Sequence, residues 1–299
     1  YDGPITLSLL DPPPGISARE GVIPAGQTVG SFSIAAKPDA DFRPIALKVV
    51  GKGTADLTIP ASKLIVFAKQ GNLPVSTRNQ VGLWSAPAAA LPVSLDTATT
   101  PIEVPHGFGV PVTVKAARSG AETAALAITA LPISAGLTVA AGKVAEKANE
   151  GAVTITAAVE APLAVTSLGL IAKGKVAGQD RTLGIPVVAV SVVRPAALEL
   201  AVPKAELTAG KTLELKGKVV RKAPFKEPVT VKLDGLPAGV KAEPVTVPAD
   251  KSEFSLKVVA DDKAAAATAQ TKVQVAFQIN KKDYPTPPSA FELKVIPAK

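Results

Sequence analysis

The chain of 299 residues contains no cysteine and no methionine. Without cysteine it has no disulfide framework, no thiolate metal site and no cysteine nucleophile, although this absence does not define a compartment. A complete open reading frame begins with methionine, whereas this sequence begins at Tyr1, within five residues of its first predicted strand. The sequence therefore indicates a segment of a larger protein, with any targeting signal located upstream.

Long apolar runs and aromatic rings are also scarce. No stretch approaches 18 consecutive apolar residues, so the sequence predicts no membrane-spanning helix. The aromatic residues are one Trp, two Tyr and eight Phe. Sugar-binding modules present such rings on a face or in a groove, and Trp84 and Tyr284, both in predicted loops, are the candidate contacts for a ligand or partner. The alternative is that each ring is half-buried and fills a junction between modules.

His106 is the single histidine of the chain, within Val-Pro-His-Gly-Phe. A catalytic triad needs a serine on a strained turn beside such a base, and the sequence contains no Gly-x-Ser-x-Gly motif. A zinc site needs three or four ligands, which one histidine and no cysteine cannot supply in the usual combination. His106 is therefore interpreted as a turn residue, and the sequence predicts no catalytic residue and no enzyme.

Two short motifs imitate catalytic signatures without completing them. Gly210-Lys211-Thr212 matches the end of a P-loop, but the required upstream glycine is Ala205 and a strand pattern follows instead of a helix. Asp96-Thr97-Ala98 resembles half of an aspartic-protease signature, and no second copy supplies the other carboxylate. Neither motif predicts a nucleotide site or a protease.

Paired acidic residues are the remaining candidates for a metal site. Asp39 and Asp41 form one pair, and Asp261 and Asp262 form another. Calcium needs several clustered oxygens, and neither pair lies in a 12-residue loop with a distal glutamate. Aspartates that favour turns explain both pairs, and the sequence predicts no metal and no cofactor.

Positive charge is present but dispersed. The net charge is +8, from 33 basic and 25 acidic residues that are mixed along the chain. Nucleic-acid-binding proteins concentrate arginine and interleave it with aromatic rings, which this sequence does not do. Lysine-coated strand faces explain the charge, and no nucleic-acid partner is predicted.

The feature that organises the chain is a repeated strand–turn–strand phrase. It is clearest between Pro228 and Val258, where apolar and polar residues alternate with the period of two that is typical of strands. The phrase also opens the chain, from Pro4 to Ile34, and a fainter copy spans Leu126 to Ile155. Turns with Pro and Gly separate the strands, and Gly15 and Gly239 are predicted to take a positive φ there.

The phrase divides the chain into immunoglobulin-like β-sandwich modules of about 100 residues, each with about seven strands. The predicted domains are an incomplete sandwich at 1–67, a connector at 68–92 with one short strand near Val81, and sandwiches at 93–195 and 196–299. Two Ala-rich or Lys-rich stretches, 143–150 and 261–270, are predicted to contain short helical turns. About 30 residues of strand-forming sequence precede the phrase in the second and third modules, whereas in the first module only four residues precede its first strand residue, Ile5. The first module is therefore expected to lack its first two or three strands.

The turn phrase resembles the immunoglobulin-like repeats of large secreted bacterial proteins, especially planctomycete-type surface proteins. The residues that carry the resemblance are Pro13-Pro14-Gly15-Ile16 and Leu236-Pro237-Ala238-Gly239-Val240, while the second copy departs from the pattern. The resemblance covers nearly the whole chain and implies an extracellular or cell-envelope location. Because the motif is a turn signature, it carries information about fold rather than about a ligand.

Two functions follow as hypotheses. The first is a non-catalytic structural, spacer or assembly region of a large bacterial surface protein, with protein partners or self-assembly. The alternative is an accessory region of a secreted hydrolase that binds polysaccharide or protein through Trp84 and Tyr284. In the alternative, the catalytic domain lies outside this segment.

Overall fold

The computed structural model describes residues 1–37, 45–53, 58–60, 81–83 and 91–298, and these residues form strands joined by turns. No described residue is helical. The strands of the first module are β1 (Ile5–Leu10), β2 (Ile16–Arg19), β3 (Gly21–Ile23), β4 (Ser33–Ala36), β5 (Ile45–Gly53), β6 (Thr58–Pro60) and β7 (Val81–Leu83). Those of the second module are β8 (Val93–Thr97), β9 (Ile102–Pro105), β10 (Gly109–Arg118), β11 (Leu126–Ala130), β12 (Leu137–Val144), β13 (Glu150–Ala157), β14 (Val165–Val176) and β15 (Gln179–Val193).

The third module contributes the remaining strands. They are β16 (Ala196–Leu200), β17 (Lys204–Thr208), β18 (Thr212–Arg221), β19 (Val229–Asp234), β20 (Val240–Ala242), β21 (Val245–Val247), β22 (Glu253–Ala260), β23 (Ala267–Ala276), β24 (Gln278–Ile279), β25 (Lys282–Asp283) and β26 (Ser289–Ile296). The chain is thus all-β, a tandem array of immunoglobulin-like sandwiches, as the sequence predicts.

The chain divides into two compact units. Unit 1 comprises residues 1–104 and 109–193, so it contains the strands of the first and second modules. Unit 2 comprises residues 105–108 and 194–299, so the turn Pro105–Phe108 belongs to the third module. The finer domain bounds at 67, 92 and 195 stay a prediction.

The third module has the strand order of an immunoglobulin sandwich. One sheet has the order β16-β18-β22-β20, and the facing sheet has the order β17-β26-β23-β19-β21. β17 pairs with β26 in parallel, from Lys204 opposite Glu292 to Thr208 opposite Ile296. β20 and β21 are two halves of one extended segment that crosses from one sheet to the other. Pro244, between them, cannot donate to a ladder, and the pairing partner changes at this residue.

The second module repeats this order within one continuous sheet of eight strands, β8-β10-β13-β12-β11-β14-β15-β9. The crossing segment is uninterrupted here, because β12 pairs with β11 on one side and with β13 on the other. A register shift between Ala140 and Lys143 takes the place of the break at Pro244. The strands enclose a core of aliphatic side chains that includes Leu126, Ile128 and Ile155, all fully buried.

The first module begins at the equivalent of the fourth strand of its neighbours. β1 pairs with β3 and β5 as β19 pairs with β21 and β23, and β2 pairs with β4 as β20 pairs with β22. Counterparts of β8, β9 and β10 are missing from the described residues of this module. In its described part, the first module thus shows only strands from the fourth position onward; that the module is incomplete stays a prediction.

The turn that follows β1, β11 and β19 has the same conformation in all three modules. Gly15, Gly136 and Gly239 have φ values of 80°, 81° and 77°, so the positive φ predicted for Gly15 and Gly239 is confirmed. In each module the carbonyl oxygen of this glycine accepts a hydrogen bond of 2.8 Å from the first residue after β4, β13 or β22. The donors are the N–H groups of Lys37, Ala158 and Asp261. This bond fixes the equivalence of positions between modules.

At one equivalent position the sizes of the two cross-strand partners change from module to module. A larger side chain on one strand is matched by a smaller one on the strand opposite. Leu7 lies opposite Gly51, Ile128 lies opposite Ala172, and Val231 lies opposite Val275. A large side chain in one strand therefore meets a small one in the other, and two side chains of medium size meet in the third module.

The two predicted helical turns are wrong. Ala145 and Ala148 close a tight turn between β12 and β13 instead, through the bond from the Ala148 N–H to the Ala145 carbonyl. Asp261 and Ala264 close a similar turn, and β23 begins at Ala267, where it pairs with β26. Tertiary pairing outweighs the local preference of alanine for helix. The short strand predicted near Val81 is β7.

Candidate functional site

Of the two candidate contact residues, only Tyr284 lies within the described residues; Trp84 lies outside them. Tyr284 belongs to unit 2, where its side chain is buried, with 6% exposure. In this arrangement the ring presents no open face to a sugar. A contact between Tyr284 and a ligand or partner stays a prediction, and it requires the ring to become exposed.

Tyr284 is one end of a chain of aromatic contacts in unit 2. Its ring stacks on that of Phe277, with centroids 4.9 Å apart and planes 13° apart. Phe277 contacts Phe225 at 4.8 Å, and Phe225 meets the edge of Phe108 at 5.8 Å. Four of the eleven aromatic residues thus form one cluster, and Phe225, Phe277 and Tyr284 are all buried.

A small hairpin places Tyr284 against Phe277. Gln278 pairs with Asp283 and Ile279 with Lys282, and the turn between them has positive φ at Asn280 and Lys281, 52° and 64°. Two consecutive positive φ values are typical of a type I′ turn, which reverses the chain in two residues. The Tyr284 N–H then donates to the Phe277 carbonyl oxygen at 3.0 Å, which sets the two rings face to face.

The Tyr284 end of the cluster is polar. The Tyr284 hydroxyl and Nδ1 of His106 are 2.6 Å apart, and His106 is also buried. Burial raises the pKa of Tyr284, and Arg194 opposes this effect through its charge. The hydroxyl is therefore neutral at physiological pH and can donate to an unprotonated Nδ1. This pair satisfies two buried polar groups and fastens the Pro105–Phe108 turn within unit 2.

A second arrangement of polar residues lies inside unit 1, around Arg19 of β2. Its guanidinium donates to the Thr97 hydroxyl at 3.1 Å and to the Val187 carbonyl oxygen at 3.3 Å, and it contacts the Asp96 carboxylate at 3.3 Å. Ser33 is the cross-strand partner of Arg19, so both side chains lie on one face of the β2–β4 pair. The Ser33 hydroxyl accepts from the Val187 N–H at 3.1 Å. Both backbone groups of Val187 are therefore bound by the first module.

Strand β3 makes a further contact of the same kind. The Val22 N–H donates to the hydroxyl of the buried Ser167 in β14 at 2.6 Å. Gly169 follows on the same strand, and a Cβ at this position would lie 2.7 Å from the Ser31 hydroxyl oxygen. A cavity beside these strands, lined by Gln27, Ser134 and Thr166, holds about 10 Å³, the space of roughly one water molecule. These contacts hold β3 and Ser31 close to β14.

The motifs that resemble catalytic signatures serve as turns and junctions. The Gly210 N–H donates to the Ala260 carbonyl oxygen at 3.1 Å, so it is not directed at a phosphate. Asp96 accepts from the Thr97 N–H at 2.8 Å and contacts Arg19. Asp261 closes a turn, whereas Asp39 and Asp41 lie outside the described residues. In the described part of the chain, no three His, Asp or Glu side chains are grouped so as to hold a metal ion.

Sequence reasoning did not identify Arg19, Ser33 or the His106–Tyr284 pair as interacting residues. Each contact joins positions more than 75 residues apart, and no periodic pattern encodes such a distance. The one usable signal was that His106 is the single histidine of the chain and lies between apolar residues and glycine in Val-Pro-His-Gly-Phe. Within the described ranges, no helix has the length and hydropathy needed to cross a bilayer.

Comparisons with known proteins add little to this description. No protein-family model matches the sequence, and no curated protein matches it. Among solved structures, domains 4 and 5 of the S-layer protein SbsC are similar, with a TM-score of 0.24 and 14% identity, over 46% of this chain and 68% of that one. The ectodomain of a teleost fish polymeric Ig receptor is similar with a TM-score of 0.24 and 12% identity, over 69% of this chain and all of that one.

These likenesses are too weak to support a function. The fold assignment depends on the strand order and on the parallel pairing of β17 with β26, which are observed directly.

Proposed function

We propose that this chain is a non-catalytic structural or spacer region of a large extracellular bacterial surface protein, where it separates or assembles other domains. Its partners are proteins or further copies of itself, and its location is the cell envelope or the extracellular medium. In this role the chain transmits force between its ends without unfolding.

The observation that carries the proposal is the parallel pairing of β17 and β26 in unit 2. β17 lies near the start of the unit and β26 near its end. When the two ends of the unit are pulled apart, parallel strands slide along each other, and all hydrogen bonds between them bear the load together. Antiparallel neighbours would instead open one bond at a time, each worth only about 1 kcal/mol. A terminal parallel pair therefore resists extension.

The junction inside unit 1 supports the same function. Arg19 and Ser33 bind the carbonyl and the amide of Val187, and Ser167 binds the amide of Val22. Contacts to backbone groups fix position more tightly than contacts between exposed side chains, because only one end of the bond has rotamer freedom to lose. A spacer needs successive modules whose positions are fixed in this way.

Single-molecule extension of the 299-residue chain between terminal handles tests the proposal. The Pro203 carbonyl oxygen accepts from the Glu292 N–H, and the Ala209 N–H donates to the Ile296 carbonyl oxygen. Because backbone groups in a parallel ladder face the partner strand at every second residue, the Ala205 N–H also points toward β26 and the Lys204 N–H does not. We expect unit 2 to unfold in one step at a force that Ala205→Pro lowers strongly and the matched control Lys204→Pro lowers little.

Two results would contradict the proposal. One is extension of the unmodified chain at low force without a distinct event for unit 2. The other is specific binding on a polysaccharide array that Trp84→Ala abolishes, which would favour the accessory binding region of a secreted hydrolase.

A further inference from the structure

Among the described residues, one edge of strand β4 of the first module has no paired strand. Among the described residues it pairs only with β2, in a two-stranded sheet. Its equivalents, β13 and β22, pair on the other edge with β10 and β18 respectively. An open strand edge presents unpaired N–H and C=O groups and is a template for another strand. Because Arg19 and Ser33 face Val187, the opposite face of the β2–β4 pair, which carries Ile34, is the one turned to the module's own core.

That core is incompletely covered. The Gly-carbonyl bonds align Ile34 with Ile155 and Val258, which are both 0% exposed, whereas Ile34 is half-buried. Leu7 is half-buried in the same way, although its equivalents Ile128 and Val231 are 0% exposed. The side chains are of similar size and hydrophobicity in all three modules. Within the described ranges, the layer of neighbours that β10 and β18 supply in the other modules has no counterpart beside Leu7 and Ile34.

The strands that fill this position in the other modules share a chemical pattern. Val110 of β10 lies opposite Ile155, and Leu213 of β18 lies opposite Val258. The positions two residues further on, Val112 and Leu215, are apolar and fully buried. Both strands end in an arginine eight residues after the first of these positions, from 110 to 118 and from 213 to 221.

The arginines that end β10 and β18 make the same kind of contact in their two modules. Arg118 donates to the carbonyl oxygens of Ala148 and Ala145, in the turn before β13. Arg221 donates to those of Pro248 and Lys251, in the equivalent turn before β22. The first module contains this turn as well, closed by the bond from the Gln27 N–H to the Pro24 carbonyl. It therefore retains the acceptor turn for an arginine of the same kind.

We propose that the open edge of β4 and the apolar face beside it form an acceptor site for a polypeptide β-strand of the β10 and β18 type. The incoming strand pairs antiparallel to β4, places apolar residues opposite Ile34 and Phe32, and carries an arginine eight residues later that binds the Pro24–Gln27 turn. This is strand addition to a sheet edge, in which backbone pairing gives affinity and alternate side chains give specificity. The inference does not depend on the proposed function.

A second copy of the chain that pairs β4 with β4 fits the site less well. β4 spans only four residues, Ser33–Ala36, and Lys37 follows them. No arginine stands eight residues after Ile34 or Ala36, the two residues on the core face of this segment, because position 42 is Phe and position 44 is Pro; Arg43 follows Ala35, which lies on the opposite face with Ser33. Self-pairing would leave the acceptor turn unbound and the apolar face only partly covered.

The first experiment measures binding of a synthetic peptide with the sequence of residues 109–118 to the full chain. Fluorescence anisotropy gives the affinity, and hydrogen exchange shows whether Ser33–Ala36 become protected. We expect protection of these amides, and a loss of affinity of at least about tenfold for the peptide with Val112→Asp, because it buries a charge in the core. The matched peptide with Thr113→Asp, whose change lies on the solvent face, retains affinity. The peptide with Arg118→Ala binds more weakly than the unmodified one.

The second experiment determines the register and does not depend on affinity. Because the chain has no cysteine, Ile34→Cys introduces a single thiol. Under mild oxidation it forms a disulfide with a peptide carrying Val110→Cys, since the two Cα atoms would lie within the distance of about 7 Å that a disulfide spans. A peptide carrying Lys115→Cys does not react selectively, because its thiol lies about 17 Å further along the strand.

Three results would overturn the proposal. The first is peptide binding that leaves the β4 amides unprotected. The second is equal disulfide yield from the Val110→Cys and Lys115→Cys peptides. The third is preferential formation of an Ile34→Cys homodimer in the presence of excess peptide, which would assign the edge to a second copy of the chain.

Discussion

At the scale of single residues, the fold depends on a few positions where backbone geometry leaves little choice. Gly239 is the clearest, because φ is 77° and an added Cβ would lie 3.3 Å from the Cα and Cβ of Ala264. Its carbonyl oxygen also receives the bond from Asp261. The same residue therefore sets the turn and anchors the end of β22.

Gly239→Val should lower the free energy of unfolding of unit 2 by about 1–3 kcal/mol, the range for strain at a special backbone position. Chemical denaturation followed by circular dichroism measures the change. Gly184→Val is the matched control, since Gly184 lies in β15 with no atom within 4 Å of an added Cβ and no positive φ. An unchanged midpoint for Gly239→Val would contradict the expected strain.

Tyr284→Phe tests the buried polar pair. Removing the hydroxyl deletes the contact with His106 and should cost about 1–2 kcal/mol of stability, with the aromatic stack retained. Ultraviolet absorbance should show one tyrosine that ionises above the ordinary value of 10.0 in the unmodified chain, and this transition should disappear in the variant.

The pH dependence of the same pair has a definite sign. The folded state raises the pKa of Tyr284, so the stability contributed by its neutral form is fully present below pH 10.0 and is lost as the pH rises through the folded pKa. Denaturation midpoints should therefore fall more steeply above pH 10.0 in the unmodified chain than in Tyr284→Phe. Equal slopes would show that the hydroxyl is not buried in solution.

At the scale of secondary-structure elements, the ends of the β10 and β18 strands control the turns that face them. Arg221 donates to four carbonyl oxygens, those of Glu227, Val247, Pro248 and Lys251. Burial lowers its pKa, and the charge of Asp250 opposes this effect. One side chain thus satisfies the backbone of a turn that has few internal bonds.

Arg221→Ala should destabilise unit 2 by about 1–3 kcal/mol, because bonds from a charged donor are worth more than neutral ones. Hydrogen exchange should accelerate in the turn Pro248–Lys251. Arg221→Lys should restore little of the loss, since an ammonium cannot reach several carbonyls in the planar arrangement of a guanidinium. Arg181→Ala, which removes only an exposed contact with Gln179, provides the control. Equal effects of Arg221→Ala and Arg181→Ala would contradict this role.

The sequence predicted individual strands and turns better than it predicted contacts between distant residues. Alternation of apolar residues predicts β19 and β22 correctly, and the Pro-Gly punctuation predicts their turns, because both signals are local. The hairpin at Asn280 and Lys281 was not predicted, since neither residue is a glycine. The Arg221 bonds join residues 6 to 30 positions apart, and no local preference encodes them.

At the scale of the molecule, side chains of the first module bind the second module at defined positions within unit 1. Arg19 is half-exposed, so its ion pair with Asp96 contributes little after solvent screening. Its bond to Thr97 fixes β2 against β8, and its bond to the Val187 carbonyl oxygen fixes β2 against β15.

Arg19→Ala should therefore lower the stability of the first module by about 1 kcal/mol and leave that of unit 2 unchanged. Faster hydrogen exchange in Gly21–Ile23 and Ser33–Ala36, with no change in β16–β26, is the expected pattern. Asp96→Asn, which weakens only the ion pair, should have a smaller effect. An equal effect of the two substitutions would show that the exposed charge pair dominates.

The compensating sizes of the cross-strand partners have a consequence for the newly synthesised chain. Neighbouring repeats with the same topology risk exchanging strands while they fold, which is a characteristic failure of tandem arrays. Exchange between the second and third modules would place Val275 opposite Ile128, where the native partner is Ala172, or Ala172 opposite Val231, where the native partner is Val275. The first mismatch overfills a core and the second leaves a void, and each costs on the order of 1–3 kcal/mol. Differences in side-chain volume thus favour pairing of each strand within its own module.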